Sequence, residues 1–314
     1  MKHPPIALFG AVMGLAGLGL TSRAAAPLFP GVFQAPAYFT ELWVLLGVAA
    51  FLALIALYGR KILFHWNEVK QEFASPAQMG FCATLPVGMT LVAGGIAPYL
   101  PSAADALWWA GAALLLAMQV WGLRRVLEGG IELAQVNAGW MILFIGGIVL
   151  PGSGIALGHD EAARFMFGIG AAATPFVMGL AFYRAAVGAP IAEPLRPSWF
   201  ILLVPPSLVF AHGAAFFPGF AFLENLYFFG LVLAAGLLLY ARRFWRWPFG
   251  TPWWAFTFPL DALAFAAVRY AEGHPEAPWK AVAAAAVLAA VFFVTMVSIR
   301  SAHEFFRHLL RHGA

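Results

Sequence analysis

The chain has 314 residues, of which 62% are hydrophobic and only 10% are Asp, Glu, Lys or Arg. Soluble domains are about 45–50% apolar and about 25% charged, so this composition excludes a water-soluble globular fold and favours lipid as the solvent. The single cysteine, Cys82, excludes an intramolecular disulfide, and the formal net charge of +4 identifies no partner by itself.

Apolar runs of about 17–25 residues predict an all-α membrane protein whose ten transmembrane helices form one domain over residues 1–314. The connections are short, so neighbouring spans should be antiparallel. Residues 61–74 and the tail after Arg300 mix basic and aromatic residues, as interfacial helices do. The predicted spans are residues 5–21, 39–59, 78–97, 103–123, 137–157, 163–183, 198–216, 220–241, 252–269 and 279–299.

The first run also resembles a secretory signal, because Lys2 precedes it and small residues follow Arg23. Two features favour a retained helix instead. Proline is tolerated where a helix starts, and Pro4-Pro5 opens this run. Glycines at positions 10, 14 and 17 also suit a packed membrane helix.

The Lys and Arg residues alternate between the two ends of the predicted helices. Of the 18 in the chain, 14 lie at the termini or after even-numbered spans, and 4 lie after odd-numbered spans. Cytoplasmic loops of membrane proteins carry the excess of Lys and Arg. We therefore expect a bacterial inner-membrane protein with both termini in the cytoplasm, which requires an even number of spans.

Four odd-numbered spans share a pattern in which an aromatic residue stands five or six positions before a proline or glycine. Proline breaks the helical hydrogen-bond ladder, and lipid tolerates the freed carbonyl only where protein or a watery cavity surrounds it. The pattern predicts five helical hairpins, with the odd helices in an inner pore ring and the even helices outside. The alternative is that prolines are simply frequent in membrane helices. The aromatic residues are Phe81, Trp140, Trp199 and Trp253, and the breakers are Pro86, Gly146, Pro205 and Pro259.

These segments resemble the tellurite-resistance/dicarboxylate transporter family of TehA-like proteins, which includes the plant slow anion channels. The resemblance covers essentially the whole chain. It implies a homotrimer in which each protomer has five hairpins and its own pore, plugged by a phenylalanine of the ninth helix. By motif position this residue is Phe258, with Phe256 as the second candidate. The motifs are Pro5-x3-Phe9-Gly10-x2-Met13-Gly14-Leu15, Glu72-x3-Pro76, Pro197-Ser198-Trp199-Phe200-x4-Pro205-Pro206 and Trp253-Trp254-Ala255-Phe256-Thr257-Phe258-Pro259.

No Lys or Arg lies near the middle of an odd span, so we expect selectivity to come from backbone dipoles and small hydroxyls such as that of Thr257. Asp261 lies three residues beyond Phe258, on roughly the same helix face. An acidic group inside a span is a functional candidate. It could be protonated, hydrogen-bond a neighbouring helix, or couple proton movement to transport, with His212 as a partner.

The leading hypothesis is a gated channel or uniporter for small inorganic or organic anions. The alternative is a proton-coupled carrier of dicarboxylate or tellurite that uses Asp261, and a third is a non-conducting scaffold or sensor. Gly152-Ser153-Gly154 lacks the spacing and context of a phosphate-binding loop, and the histidines lack metal-ligand spacing. We therefore predict no enzymatic activity, cofactor, metal or nucleic-acid partner, with membrane lipid as the surroundings.

Overall fold

The computed structural model describes residues 3–30 and 37–312, which form helices joined by short connections, with no β-strand among them. Lys2, which contributes to the predicted orientation, lies outside these residues. The described residues contain ten principal helices. They are α1 (Gly10–Ala25), α2 (Ala37–Phe64), α3 (Thr84–Ile96), α4 (Pro101–Leu127), α5 (Trp140–Ile145), α6 (Asp160–Val187), α7 (Val204–Phe216), α8 (Phe222–Tyr240), α9 (Thr257–Gly273) and α10 (Ala277–His312).

A 3₁₀ segment adjoins every odd-numbered helix. In α3, α7 and α9 the predicted breakers Pro86, Pro205 and Pro259 lie in the first turn of the α-helix. Proline is tolerated in that turn, so each breaker marks a change from 3₁₀ to α winding inside an apolar segment. The 3₁₀ segments that adjoin the odd-numbered helices are Ile6–Phe9, Gly80–Ala83, Gly146–Val149, Glu193–Leu203 and Thr251–Phe256.

The fifth predicted span has the most irregular backbone. Gly146, its predicted breaker, begins the 3₁₀ segment that follows α5. A short helix, Pro151–Gly154, comes next, and its first residue is a proline. The proline missing from position 146 of the repeat therefore stands five residues further along the chain, which the spacing of the other breakers did not predict.

Eight helical segments of the described residues are long and apolar enough to cross a membrane. They match eight of the ten predicted spans. The predicted span 137–157 corresponds to the shorter apolar segment Trp140–Gly154. The predicted span 252–269 corresponds to Thr251–Phe256 and α9, which carries Asp261, Arg269 and Glu272. The eight are Ile6–Ala25, Tyr38–Phe64, Pro76–Ile96, Pro101–Leu127, Asp160–Val187, Glu193–Phe216, Phe222–Arg246 and Ala277–Phe305.

Burial separates the odd-numbered helices from the even-numbered ones. In the segments that contain α1, α3 and α7, 72–78% of the apolar window is buried, against 22–39% for α2, α4, α6, α8 and α10. The exposed side chains on the latter helices include Leu52, Phe176, Leu239 and Leu288. Apolar side chains on the outside suit contact with lipid rather than water.

The packing of the helices follows the same division. Helix α1 packs against α3 and α9, and α9 packs against α7. The segment Gly146–Val149, which continues α5, packs against both α3 and α7. Each even-numbered helix packs on the odd-numbered segment that precedes it in the chain. The odd-numbered segments thus contact each other in the order 1, 3, 5, 7, 9 and back to 1.

The predicted interfacial segment 61–74 is divided in the structure. Helix α2 continues to Phe64, the backbone leaves helical geometry at His65, and a separate helix covers Trp66–Ala74. Lys61 is buried and pairs with the carboxylate of Glu72, its Nζ 2.7 Å from Oε1. The hydroxyl of Tyr58 donates to the other carboxylate oxygen at 2.8 Å. Because Glu72 supplies a partner, Lys61 is an interior residue rather than the interfacial charge that the sequence predicted.

Candidate functional site: a cavity among the odd-numbered helices

A cavity of about 410 Å³ lies where the odd-numbered segments meet. All five of these segments contribute to its wall, which consists mainly of aliphatic side chains and prolines. No acidic side chain lines it within the described residues. The polar residues of the wall are Gln78, Thr84, Asn137, Arg184, Ser198 and Thr251.

The cavity extends to a similar depth along each segment. It begins at the connections that precede the odd-numbered helices, where Gln78, Asn137 and Thr251 lie. Gly17, four residues beyond Met13, and Asp261, two residues beyond Pro259, are not part of the wall. The cavity therefore ends near Phe258. The innermost lining residues of the five segments are Met13, Val87, Val149, Pro205 and Pro259.

Phe258, the predicted gate residue, lines this inner end and is only 6% exposed. Its ring packs on α1 at Gly17, where an added Cβ would lie 2.9 Å from the ring carbon Cδ2. A glycine is therefore required for the ring to lie this close to α1. Three of the four predicted breakers, Gly146, Pro205 and Pro259, also line the cavity, whereas Pro86 does not.

Phe256, the second candidate, does not line the cavity. It is 1% exposed, and its ring centroid lies 5.0 Å from that of Phe244 and 5.6 Å from that of Phe293. Its position two residues before Phe258 turns it towards a different helix face, as expected for helical geometry. Phe256 is a packing residue between α9 and α10.

Thr257 and His212 also lie outside the cavity wall. The Thr257 hydroxyl donates to the Trp254 carbonyl at 2.9 Å and faces α1, because a Cβ on Gly14 would overlap it. His212 is 8% exposed, and its Nδ1 lies 2.7 Å from the Ile148 carbonyl oxygen. The Thr257 hydroxyl and Nδ1 of His212 are thus bonded to backbone carbonyls.

Asp261 is buried with an unpartnered carboxylate. It is 1% exposed, and neither carboxylate oxygen has a hydrogen-bond partner in the part of the chain that the structure describes. The Thr21 hydroxyl of α1 donates to the main-chain carbonyl of Asp261 at 3.2 Å. The hydrogen bond between Asp261 and the neighbouring helix α1 is thus made by its main-chain carbonyl and not by its carboxylate. No hydrogen bond or ion pair joins Asp261 to His212 within the described residues.

Comparison with known proteins identifies the family. Residues 3–302 match the SLAC1 family, described as voltage-dependent anion channel. The chain belongs to this family. The membership confirms the predicted resemblance to slow anion channels and the prediction that the chain is not an enzyme. With its many long apolar helices, this SLAC1-family protein is a membrane protein.

Relatives of the SLAC1-family chain come from a plant and a bacterium. It is 23% identical over 297 residues to the guard cell S-type anion channel SLAC1 of Arabidopsis thaliana, covering 89% of this chain and 52% of that protein. It is 23% identical over 273 residues to S-type anion channel SLAH3 of the same plant, covering 85% and 43%. It is 24% identical over 168 residues to the tellurite resistance protein TehA homolog of Haemophilus influenzae, covering 53% and 50%. The chain spans about half the length of these relatives.

One cavity residue of the SLAC1-family protein escaped the sequence reasoning. Arg184 lies in the last turn of α6, is 6% exposed, and lines the cavity. The predicted absence of fixed charge concerned the odd-numbered spans, but this guanidinium reaches the cavity from an even-numbered helix. The glycine at position 188, which ends α6, was the available signal, because a basic residue in the last turn can fold over the helix end.

Proposed function

We propose that this protein is a gated anion channel or uniporter that passes small anions through a pore within each protomer. The observation that carries the proposal is a cavity walled by all five odd-numbered segments and ending at Phe258. Membership of the SLAC1 family and the names of its plant relatives, which are S-type anion channels, support the same activity.

In this proposal the chain is a single transmembrane domain of ten helices arranged as five hairpins. The odd-numbered helices form the pore ring, and the even-numbered helices face lipid. The closed order of contacts among the odd-numbered segments and their greater burial support this arrangement. The short fifth segment and the charged α9 would cross the membrane surrounded by the other helices rather than by lipid.

Phe258 would act as the gate. A large apolar ring in a narrow passage excludes water and raises the barrier for a hydrated ion. The neighbouring change from 3₁₀ to α winding at Thr257 gives the backbone beside the ring a place to adjust. Backbone dipoles would select anions that lose water easily, whereas the hydroxyl of Thr84, which lines the cavity, donates to the backbone carbonyls of Ile6 and Phe81.

We place the protein in a bacterial inner membrane with both termini in the cytoplasm. The alternation of Lys and Arg along the sequence supports this orientation. The cavity would then open to the cytoplasm, because its outer residues lie in the connections before odd-numbered helices. The homotrimer implied by the family resemblance completes the proposal.

The test is anion flux in proteoliposomes, measured with chloride, nitrate and a dicarboxylate for the wild type and Phe258→Ala. We expect Phe258→Ala to raise passive chloride flux roughly ten-fold or more, because removal of the ring lets water enter the constriction. The matched control is Phe176→Ala, which removes an exposed ring from α6. If both variants conduct no better than the wild type, Phe258 does not close a pore.

The alternative function is a proton-coupled carrier of dicarboxylate or tellurite. The buried, unpartnered carboxylate of Asp261 favours it, because ionisable groups inside membrane-spanning segments often mark proton or ion pathways. The same liposomes separate the two functions when a pH gradient is imposed. With the membrane potential held at zero, a carrier would accumulate its substrate against a concentration gradient, whereas a channel would only equalise anion concentrations.

A further inference from the structure

Arg184 is an interior cation whose guanidinium is incompletely hydrogen-bonded. Its Nη1 donates to the Ala189 carbonyl oxygen at 2.7 Å, while its buried Nε has no partner. No carboxylate lies within 4.0 Å of it in the residues that the structure describes. A buried guanidinium without a counter-ion is costly, and anions or carboxylates usually compensate such a charge.

The position of this guanidinium is constrained by the end of α6. An added Cβ on Gly188 would lie 2.9 Å from the central guanidinium carbon, so the side chain is folded closely over the helix end. The carbonyl groups at a helix C-terminus favour a positive charge there. The contact with Gly188 and the helix end hold the arginine in place. Nε remains unpaired, and the guanidinium lies beside the cavity.

The surroundings of Arg184 favour an anion. The cavity wall contains no acidic side chain in the described part of the chain. Most of its other lining residues are apolar, and a charge acts more strongly in such surroundings than in water. Ser198 and Asn137 do not neutralise the arginine, because their side chains are uncharged and are hydrogen-bonded to backbone groups.

We propose that Arg184 is the fixed cation of a binding site for a small inorganic anion in the outer part of the cavity. The guanidinium is held beside the end of α6 by the bond from Nη1 to the Ala189 carbonyl and presents its charge to an anion before that anion reaches Phe258. This inference rests on the proposed function and deepens it. The site would concentrate the permeant ion and give the flux a saturable dependence on anion concentration.

A purely structural role is the competing explanation. A residue that only caps α6 would affect the stability of the protein and leave its affinity for anions unchanged. Two variants separate the roles. Arg184→Lys retains the charge but loses the planar guanidinium, and Arg184→Gln removes the charge. The matched control is Arg124→Gln, which removes an exposed positive charge that pairs with Glu128.

Nitrate is the probe, at constant ionic strength maintained with gluconate. The first readout is the unfolding temperature of the detergent-solubilised protein as nitrate is added, which measures binding without requiring conduction. The second is nitrate flux in the Phe258→Ala background. For Arg184→Gln we expect the half-saturating nitrate concentration to rise roughly ten-fold or more in both readouts, the effect of losing a charge-assisted hydrogen bond. Arg184→Lys should show a smaller rise, and Arg124→Gln should match the parent protein.

If Arg184→Gln binds nitrate as tightly as the parent protein, the proposal is wrong and Arg184 has only a structural role at the end of α6. If Arg184→Gln does not fold, Arg184→Lys decides, because a pure cap predicts the affinity of the parent. If Phe258→Ala conducts nothing, the channel function fails, but the thermal readout still tests the anion site.

Discussion

Replacement of Gly17 by alanine tests the contact between α1 and the proposed gate. The new Cβ would lie 2.9 Å from Cδ2 of Phe258 and 2.9 Å from Oδ2 of Asp261, whereas ordinary contacts begin near 3.4 Å. The ring and the carboxylate must each retreat by about 0.5 Å. Overpacking of this kind costs about 1–3 kcal/mol.

The control for this prediction is Gly59→Ala. Gly59 lies inside α2, and an added Cβ there meets nothing within 4 Å. Both replacements gain the helix propensity of alanine, about 1 kcal/mol, so this contribution cancels between them. We therefore expect Gly17→Ala to be less stable than Gly59→Ala by about 1–3 kcal/mol in the free energy of unfolding.

Equilibrium unfolding in detergent measures this difference. In the Phe258→Ala background, Gly17→Ala should lower the free energy of unfolding by less. One of the two crowded contacts is then absent, and contacting residues are energetically coupled. If Gly17→Ala equals Gly59→Ala in stability, or if its cost does not depend on the residue at position 258, then Phe258 does not pack on α1.

Two further predictions concern buried carboxylates. Glu72→Gln leaves the buried Lys61 without its partner, so we expect it to lower the free energy of unfolding by about 3–5 kcal/mol, while Glu128→Gln at an exposed pair should have little effect. Unfolding in denaturant measures both, and equal stability of the two variants would contradict the interior role of Lys61. Asp261→Asn should leave passive chloride flux unchanged in the Phe258→Ala background, since Asp261 is outside the cavity wall. Loss of pH-driven uptake in Asp261→Asn would instead favour the carrier.

The sequence predicted the all-helical, membrane-spanning character of the chain better than the polar groups of the cavity. Breakers at positions 146, 205 and 259 indicated a shared interior, and the corresponding residues line the cavity. Hydrophobicity and helical spacing give the angle between residues on one helix, but they do not show which neighbour each face meets. Thr257 was predicted to face the pore, yet it packs on α1 at Gly14.

Two basic residues show a second limit of sequence reasoning. Lys61 was predicted to lie in an interfacial helix, and Arg184 follows the predicted span 163–183, which is a usual location of a charge. Both are interior residues, since Glu72 pairs with Lys61 and the end of α6 holds Arg184. Such partners come from tertiary contacts, and a hydropathy profile contains no information about them. The fifth segment is shorter than the predicted span 137–157, and the ninth carries Asp261, Arg269 and Glu272, because buried spans need not be long and continuously apolar.

The 3₁₀ segments beside the odd-numbered helices have a mechanical consequence. A residue advances about 2.0 Å in a 3₁₀-helix and 1.5 Å in an α-helix, with about 120° and 100° of rotation respectively. If the junction before α9 moved by one residue, the helix beyond it would shift by about 0.5 Å along its axis and rotate by about 20°. Phe258 is the second residue of α9 and would turn with it. Five such junctions around one cavity would let the odd-numbered helices rotate and shift in small steps while their packing against one another is kept.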